Sequence, residues 1–368
     1  MEATQLLDGL LGDGTTGTLR ARALELRAQI HWVGKTLEDA EGCLTEALDH
    51  ADDDEWLRAR VLVTLARITM DAALLRDRSV AALDYLESLD EPDPGLLSEA
   101  LVGLAGAEYY LGNGIPTDVV ERALELERIA PPANVSDRMS AALGTWLKYS
   151  GDFDGARRWL ESTRQSALDE GDEGSLPYAL SHLPQLELWT GSWAQSEARA
   201  LEHLELAERT GQEGERLTAM FSLAFVEAHL GRLDDARERI AEALVDAESG
   251  DHLWGVYQLL SVRGFVELSA GSATEAVTSL GRAFEIYEST GSGGTPSVFE
   301  NYPEALVSAG DLETAEHVIE LFESRARKPA RPSRWRRPSA AVLFSSEHSG
   351  DWTRLLCRWT RRLPSTNE

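Results

Sequence analysis

Three stretches hold residues whose types and spacing could do chemistry. Gly12-Asp-Gly-Thr-Thr-Gly17 matches the G-x-G-x-x-G pattern, in which glycines let the backbone approach a pyrophosphate. That chemistry needs a preceding strand, a following helix and an acidic residue about 20 positions on. Only short helical text precedes this copy, so it reads as an exposed loop. Gly34-Lys35-Thr36 has the ending of a P-loop, but Gln29 stands where the first glycine of the anion cradle belongs, and the stretch reads as a turn. Asp52-Asp-Asp-Glu55 could hold magnesium in the manner of all-helical isoprenoid enzymes, yet the second acidic cluster is not evident, and helix-capping acids explain it. The eight histidines are scattered without an H-E-x-x-H, and no Ser, Cys or Thr sits in a nucleophile motif. The expectation is no enzyme: no catalytic residue, no metal ligand and no cofactor.

What does recur is a glycine followed five positions later by a small residue: Gly151 and Ala156, Gly191 and Ser196, Gly231 and Ala236, Gly271 and Ala276, Gly310 and Ala315. The spacings are 40, 40, 40 and 39, Gly112 lies 39 before Gly151, Gly34 opens another copy, and a degenerate one falls around Ala72. Apolar residues at three-to-four-residue intervals flank each glycine, as Met139, Leu143 and Leu147 precede Gly151 and Ala156, Leu160 and Ala167 follow it. Each copy therefore reads as two helices, the first closed by the glycine, the second capped by the adjoining Asp or Ser. At nine positions after the glycine stand Leu160, Ala200, Ile240, Leu280 and Ile319, an apolar column suited to pack one hairpin on the next. The fold expected is all-α, a right-handed superhelical solenoid of about eight such hairpins with atypical ends.

These residues resemble the tetratricopeptide repeat, whose G-D-[YF]-x-x-A turn joins two helices; Leu143-Gly144 keeps its L-G position, and the period here is nearer 40 than the usual 34. More narrowly, Leu204-Glu-Leu-Ala-Glu-Arg-Thr-Gly-Gln212, Ala228-His-Leu-Gly-Arg-Leu-Asp-Asp-Ala-Arg237 and Glu304-Ala-Leu-Val-Ser-Ala-Gly-Asp-Leu-Glu-Thr-Ala-Glu316 are similar to the helical sensor region of large ATP-binding LuxR-family regulators and the related maltose-regulon activators. The resemblance covers roughly Ala3 to Arg327. It implies a non-catalytic signal- or partner-binding region of a bacterial transcriptional regulator, or a truncated relative, because the family's ATPase module and helix-turn-helix are not seen. The other reading is a stand-alone scaffold mediating protein-protein interactions.

Two columns run through the first helices. Four positions before the glycine stand Glu108, Glu187, Glu227 and Glu267; two positions before it stand Trp32, Tyr110, Tyr149, Trp189 and His229. Two residues at about 100° each separate the columns by roughly 200°, so they cannot share a surface. The repeat resemblance implies that the glutamates pack between helices, bonded to arginine, hydroxyl or backbone donors, and that the aromatic column faces the groove. Tyr110, Tyr149, Trp189 and His229 are then the candidate residues for a protein partner or a small-molecule signal, with filling of inter-repeat space as the alternative role.

Composition bounds the rest. Across 368 residues, 63 acidic against 35 basic side chains give a formal net charge of -28, which disfavours nucleic acid as a partner of the repeat body. No apolar run is long enough to span a membrane, and two distant cysteines, Cys43 and Cys357, suit free thiols; the expected location is cytoplasmic. The repeat body is expected over 1–327 and a distinct Arg/Pro/Ser-rich segment over 328–368. From Arg325 onward there are 11 basic and 3 acidic residues, a net of +8 against -36 for residues 1–324. Three readings of it stay open: a solvated tail, a basic arm for nucleic acid or for the acidic body, and a terminus from a shifted reading frame.

Overall fold

The structure, a computed structural model, describes residues 2–326 apart from positions 13, 34–36, 251 and 291–297. The segment 328–368 and the Gly34-Lys35-Thr36 turn lie outside the described residues. Among those described, every regular element is helical, and the chain divides into two compact units after Leu176. In the first unit, α1 (Glu2–Gly12) precedes four hairpins: α2 (Gly17–Val33) with α3 (Leu37–Leu48), α4 (Glu55–Arg67) with α5 (Ala72–Glu87), α6 (Pro94–Leu111) with α7 (Thr117–Ile129), and α8 (Met139–Ser150) with α9 (Phe153–Glu170). In the second, α10 (Leu176–Trp189) pairs with α11 (Trp193–Thr210), α12 (Glu213–His229) with α13 (Leu233–Ser249), α14 (Leu253–Ser269) with α15 (Ala273–Thr290), and α16 (Val298–Ser308) with α17 (Leu312–Ala326). The eight hairpins are those that the glycine register predicts.

The turns show why the register is glycine. Gly112, Gly151, Gly191, Gly231, Gly271 and Gly310 all have φ between 77° and 91°, a region that an L side chain enters only with strain. The N–H after each glycine then reaches the carbonyl four residues before it, as from Asp152 to Leu147 at 3.0 Å, Arg232 to Glu227 at 2.9 Å and Ser272 to Glu267 at 2.8 Å. Asp152 caps the following helix by accepting from the Gly155 N–H at 2.9 Å, and Asp311 does so from Thr314 at 3.1 Å. Ser192 makes no side-chain cap; there the backbone alone closes the turn, with the Ser196 N–H bonded to the Ser192 carbonyl at 3.0 Å. The acidic stretch before α4 is a capping loop as well: Asp54 accepts from the Leu57 N–H, and Asp52 pairs with Arg58 at 2.7 Å. Gly14 and Gly17 make positive-φ turns after a helix, not after a strand.

Hairpin packing follows from a size match. Ala156, Ser196, Ala236, Ala276 and Ala315, five residues past the turn glycines, are completely buried. Nine past it, Leu160, Ala200, Ile240 and Leu280 are also sealed, whereas Ile319 is only partly buried and the adjacent Val318 takes the interior place. On the first helices, seven residues before each glycine, stand Ala105, Gly144, Pro184, Ala224, Gly264 and Pro303. A Cβ on Gly144 would stand 2.8 Å from Leu160 Cγ. Gly144 thus receives the branched side chain of Leu160 from the second helix, and Gly264 receives that of Leu280. Pro184 lacks an N–H, but its carbonyl accepts a hydrogen bond from the Ser196 hydroxyl at 2.6 Å. In the first unit α4 packs on α6 and α6 on α8, and in the second α12 packs on α14 and α14 on α16, so first helices form a layer in each unit.

Candidate partner-binding face

The layer of first helices in the second unit has a side that stacking does not consume. On α12, Leu223, Ala224, Val226 and Ala228 are buried, while Phe221, Phe225 and His229, one helical turn apart, remain partly exposed. Their rings touch in series: Phe221 and Phe225 stack with centroids 6.1 Å apart, and Phe225 meets His229 edge-on at 4.6 Å. Phe265 of α14 joins them, 5.7 Å from Phe225 and stacked on His229 at 4.8 Å. His229 Nδ1 lies 2.8 Å from the Phe225 carbonyl oxygen, which can only accept, so Nδ1 carries the hydrogen. Burial pushes the His229 pKa below its ordinary value, which keeps the ring neutral near pH 7. The result is an uncharged aromatic surface resting on the core of the unit.

The residues that the sequence singles out divide between the units. His229 belongs to this surface. Trp189 ends α10 in the same unit and is partly buried. Tyr110 and Tyr149 lie in the first unit. Tyr110 is 54% exposed and meets Tyr109 edge-on at 5.5 Å, with Tyr109 stacked in turn on Trp146 at 5.8 Å. The Tyr149 ring has the ammonium of buried Lys148 4.3 Å from its centroid. Trp32 falls in the last turn of α2.

What the single aromatic column misses is the position one turn earlier on the same face, six residues before the glycine: Gln185, Phe225, Phe265 and Glu304. A four-residue step keeps two side chains on one side of a helix, so this second column was visible once the first had been drawn.

The glutamate column behaves as structural residues do. Glu227 is 5% exposed and accepts two bonds from Arg239, at 3.0 and 2.6 Å; Glu267 accepts two from Arg237, at 3.0 and 2.9 Å. Glu108 pairs with Arg76 at 2.8 Å. Forked guanidinium bonds of this kind hold neighbouring helices in register. Glu304 differs: it is 6% exposed, its Oε2 has no hydrogen-bond partner among the described residues, and burial alone pushes its pKa up to about 7. Among the described residues no helix is long and apolar enough to cross a membrane.

No family model matches the chain, and no curated protein is similar enough to serve as a relative. Solved structures do match. The chain is similar to a Rap protein complexed with competence and sporulation factor, at 15% identity over 89% of this chain and 94% of that one, with a TM-score of 0.64. A tetratricopeptide repeat protein from Parabacteroides merdae matches over 81% of this chain and 99% of its own, at 15% identity and a TM-score of 0.45. A signal-transduction ATPase with a tetratricopeptide repeat sensor from Pyrococcus horikoshii matches at 13% identity, over 89% of this chain and 52% of its own, with a TM-score of 0.46. At such identities the likeness is one of fold, and it is the first of these that carries it: the chain has an all-helical repeat fold of the kind that Rap protein shows.

Proposed function

We propose that the chain is a non-catalytic repeat module that holds a protein partner against the aromatic face of α12 and α14, and that it serves as the signal- or partner-responsive region of a larger LuxR-type regulator in the cytoplasm. The observation that carries the first part is the ring series Phe221, Phe225, His229 and Phe265, neutral, in mutual contact and partly open. Flat rings give large contact area at small entropic cost, which is why they anchor interfaces. The fold likeness to a Rap protein caught with competence and sporulation factor supports a binding role for such a repeat surface. The regulator context rests on the sensor-like stretches Leu204–Gln212, Ala228–Arg237 and Glu304–Glu316. Trp189, and in the first unit Tyr110 and Tyr149, are proposed as further contacts. A net charge of -36 over residues 1–324 favours basic or neutral partners, and leaves any nucleic-acid contact to the basic segment 328–368.

The test is site-specific photo-crosslinking in cells, with a benzoylphenylalanine at Phe225 and a control at Val245, which is 67% exposed on the second helix α13. A discrete polypeptide adduct at 225 and none at 245 is the expected result. Equal labelling at both positions, or none at 225, overturns the reading. The sequence of the adducted polypeptide then separates a regulator from a free-standing adaptor.

A further inference from the structure

Glu304 occupies on α16 the place that Phe265 occupies on α14 and Phe225 on α12, six residues before the turn glycine. Because α14 packs on both α12 and α16, the three positions follow one another along one layer of the second unit. Two repeats present a ring there, and the third presents a carboxyl group. Glu227 and Glu267, buried nearby in the same unit, each receive an arginine fork, yet Glu304 Oε2 is without a donor and 94% of the residue is covered. A protein interior closes its polar groups with partners, so a buried acceptor left without one, on the helix next to the aromatic face, marks a place for a donor that comes from outside.

We propose that this face binds a polypeptide segment carrying an arginine or lysine next to an aromatic or aliphatic side chain, the cation entering beside Glu304 and the apolar side chain settling on Phe225, His229 and Phe265. The proposal rests on the reading above and gives the partner its chemistry. Three arguments support it. A guanidinium supplies the missing donor and turns an open acceptor into a charge-assisted bond, and it stacks on neighbouring rings as well. Burial holds the Glu304 carboxyl near a pKa of about 7, so an arriving cation converts it to the carboxylate at little cost near neutral pH. First helices of successive hairpins lie about 8–10 Å apart, so α12 to α16 spans about 16–20 Å, the reach of about six extended residues and more than a small metabolite covers.

The experiment uses the full chain and fluorescence polarisation with three pools of nine-residue peptides, acetylated and amidated so that the termini carry no charge. The first has a central Arg-Phe between randomised neutral positions, the second citrulline-Phe, which keeps the shape and loses the charge, and the third Arg-Ala. The expected result is that Arg-Phe binds at least about tenfold more tightly than citrulline-Phe and than Arg-Ala. In E304Q the Arg-over-citrulline preference vanishes with helicity unchanged, while F225A/F265A weakens Arg-Phe and citrulline-Phe alike. Equal affinity of the first two pools for the unaltered chain overturns the proposal without needing any variant; so does a preference that survives in E304Q, and so does an Arg-Phe pool that does not bind. A crosslink at residue 225 without an arginine preference sinks the cation site alone, whereas no crosslink and no peptide binding sink the partner-binding reading with it.

Discussion

Gly264 of α14 and Leu280 of α15 meet so closely that a Cβ placed on the glycine would fall inside the van der Waals envelope of all three outer carbons of the leucine side chain. The same relationship ties Gly144 to Leu160 one unit earlier, where the imagined Cβ would stand 2.8 Å from Leu160 Cγ. The join leaves no room for a methyl group on Gly264, and its sensitivity to size is open to measurement. Gly264→Ala is expected to lower unfolding free energy by about 1–3 kcal/mol through overpacking, despite the gain in helix propensity. Adding Leu280→Ala to it should cost less than the two single changes together, a coupling that urea denaturation of the four chains resolves. Gly42→Ala is the control: the residue sits exposed inside α3 with nothing within 4 Å of its Cβ position, and alanine there should stabilise by about 0.5–1 kcal/mol.

The arginine forks give a second prediction. Arg239→Ala leaves the Glu227 carboxylate buried without its two bonds and is expected to destabilise by about 1–3 kcal/mol, with Glu227→Gln in the same chain recovering part of the loss. Replacing either partner of the exposed pair of Arg128 with Glu125, three residues apart on α7, should leave stability unchanged, because solvent screens the pair. Chemical denaturation midpoints separate the two cases.

Glu304 predicts a pH dependence of definite sign. Its carboxyl stays protonated in the folded chain up to about 7, above the ordinary value of 4.5, so the unfolded chain ionises first as pH rises. The folded state therefore loses stability as pH rises from about 4.5 through 7, and the penalty is complete above that. Glu304→Gln removes it. The variant should be more stable than the parent by about 1–3 kcal/mol at pH 8, and the two should converge below pH 4.5, as read from thermal or urea unfolding across that range.

Helix starts provide a fourth. Asp152→Ala removes the bond that satisfies the Gly155 N–H and should cost about 1 kcal/mol, while Ser192→Ala removes no side-chain cap and should be close to neutral. Equal losses at the two positions would contradict the capping geometry.

Much of the architecture was legible because it is local. A left-handed turn admits glycine and little else, so six turn glycines at 39- or 40-residue steps disclose both the period and the hairpins. A close helix crossing admits only small residues, which is why the columns five after and seven before the glycine hold Ala, Ser, Gly and Pro. Of the aromatic face on α12 and α14, spacing singled out His229 alone, and Phe225 and Phe265, one turn before the same column, obey the same periodicity.

Three things were decided by the tertiary structure alone. His229 found Phe265 because α12 and α14 pack side by side, a contact between residues 36 apart that no local pattern specifies. Glu227 found its arginine 12 residues ahead and Glu267 found its own 30 residues behind, in opposite directions along the chain, so spacing could not have matched them. Glu304, equally buried, was left with its Oε2 lacking a donor among the described residues. The sequence determined where helices begin, turn and approach, since each of those depends on one backbone conformation or one side-chain volume. Which charges are satisfied and which rings stay open depends on everything stacked around a helix, and only the folded arrangement settles that.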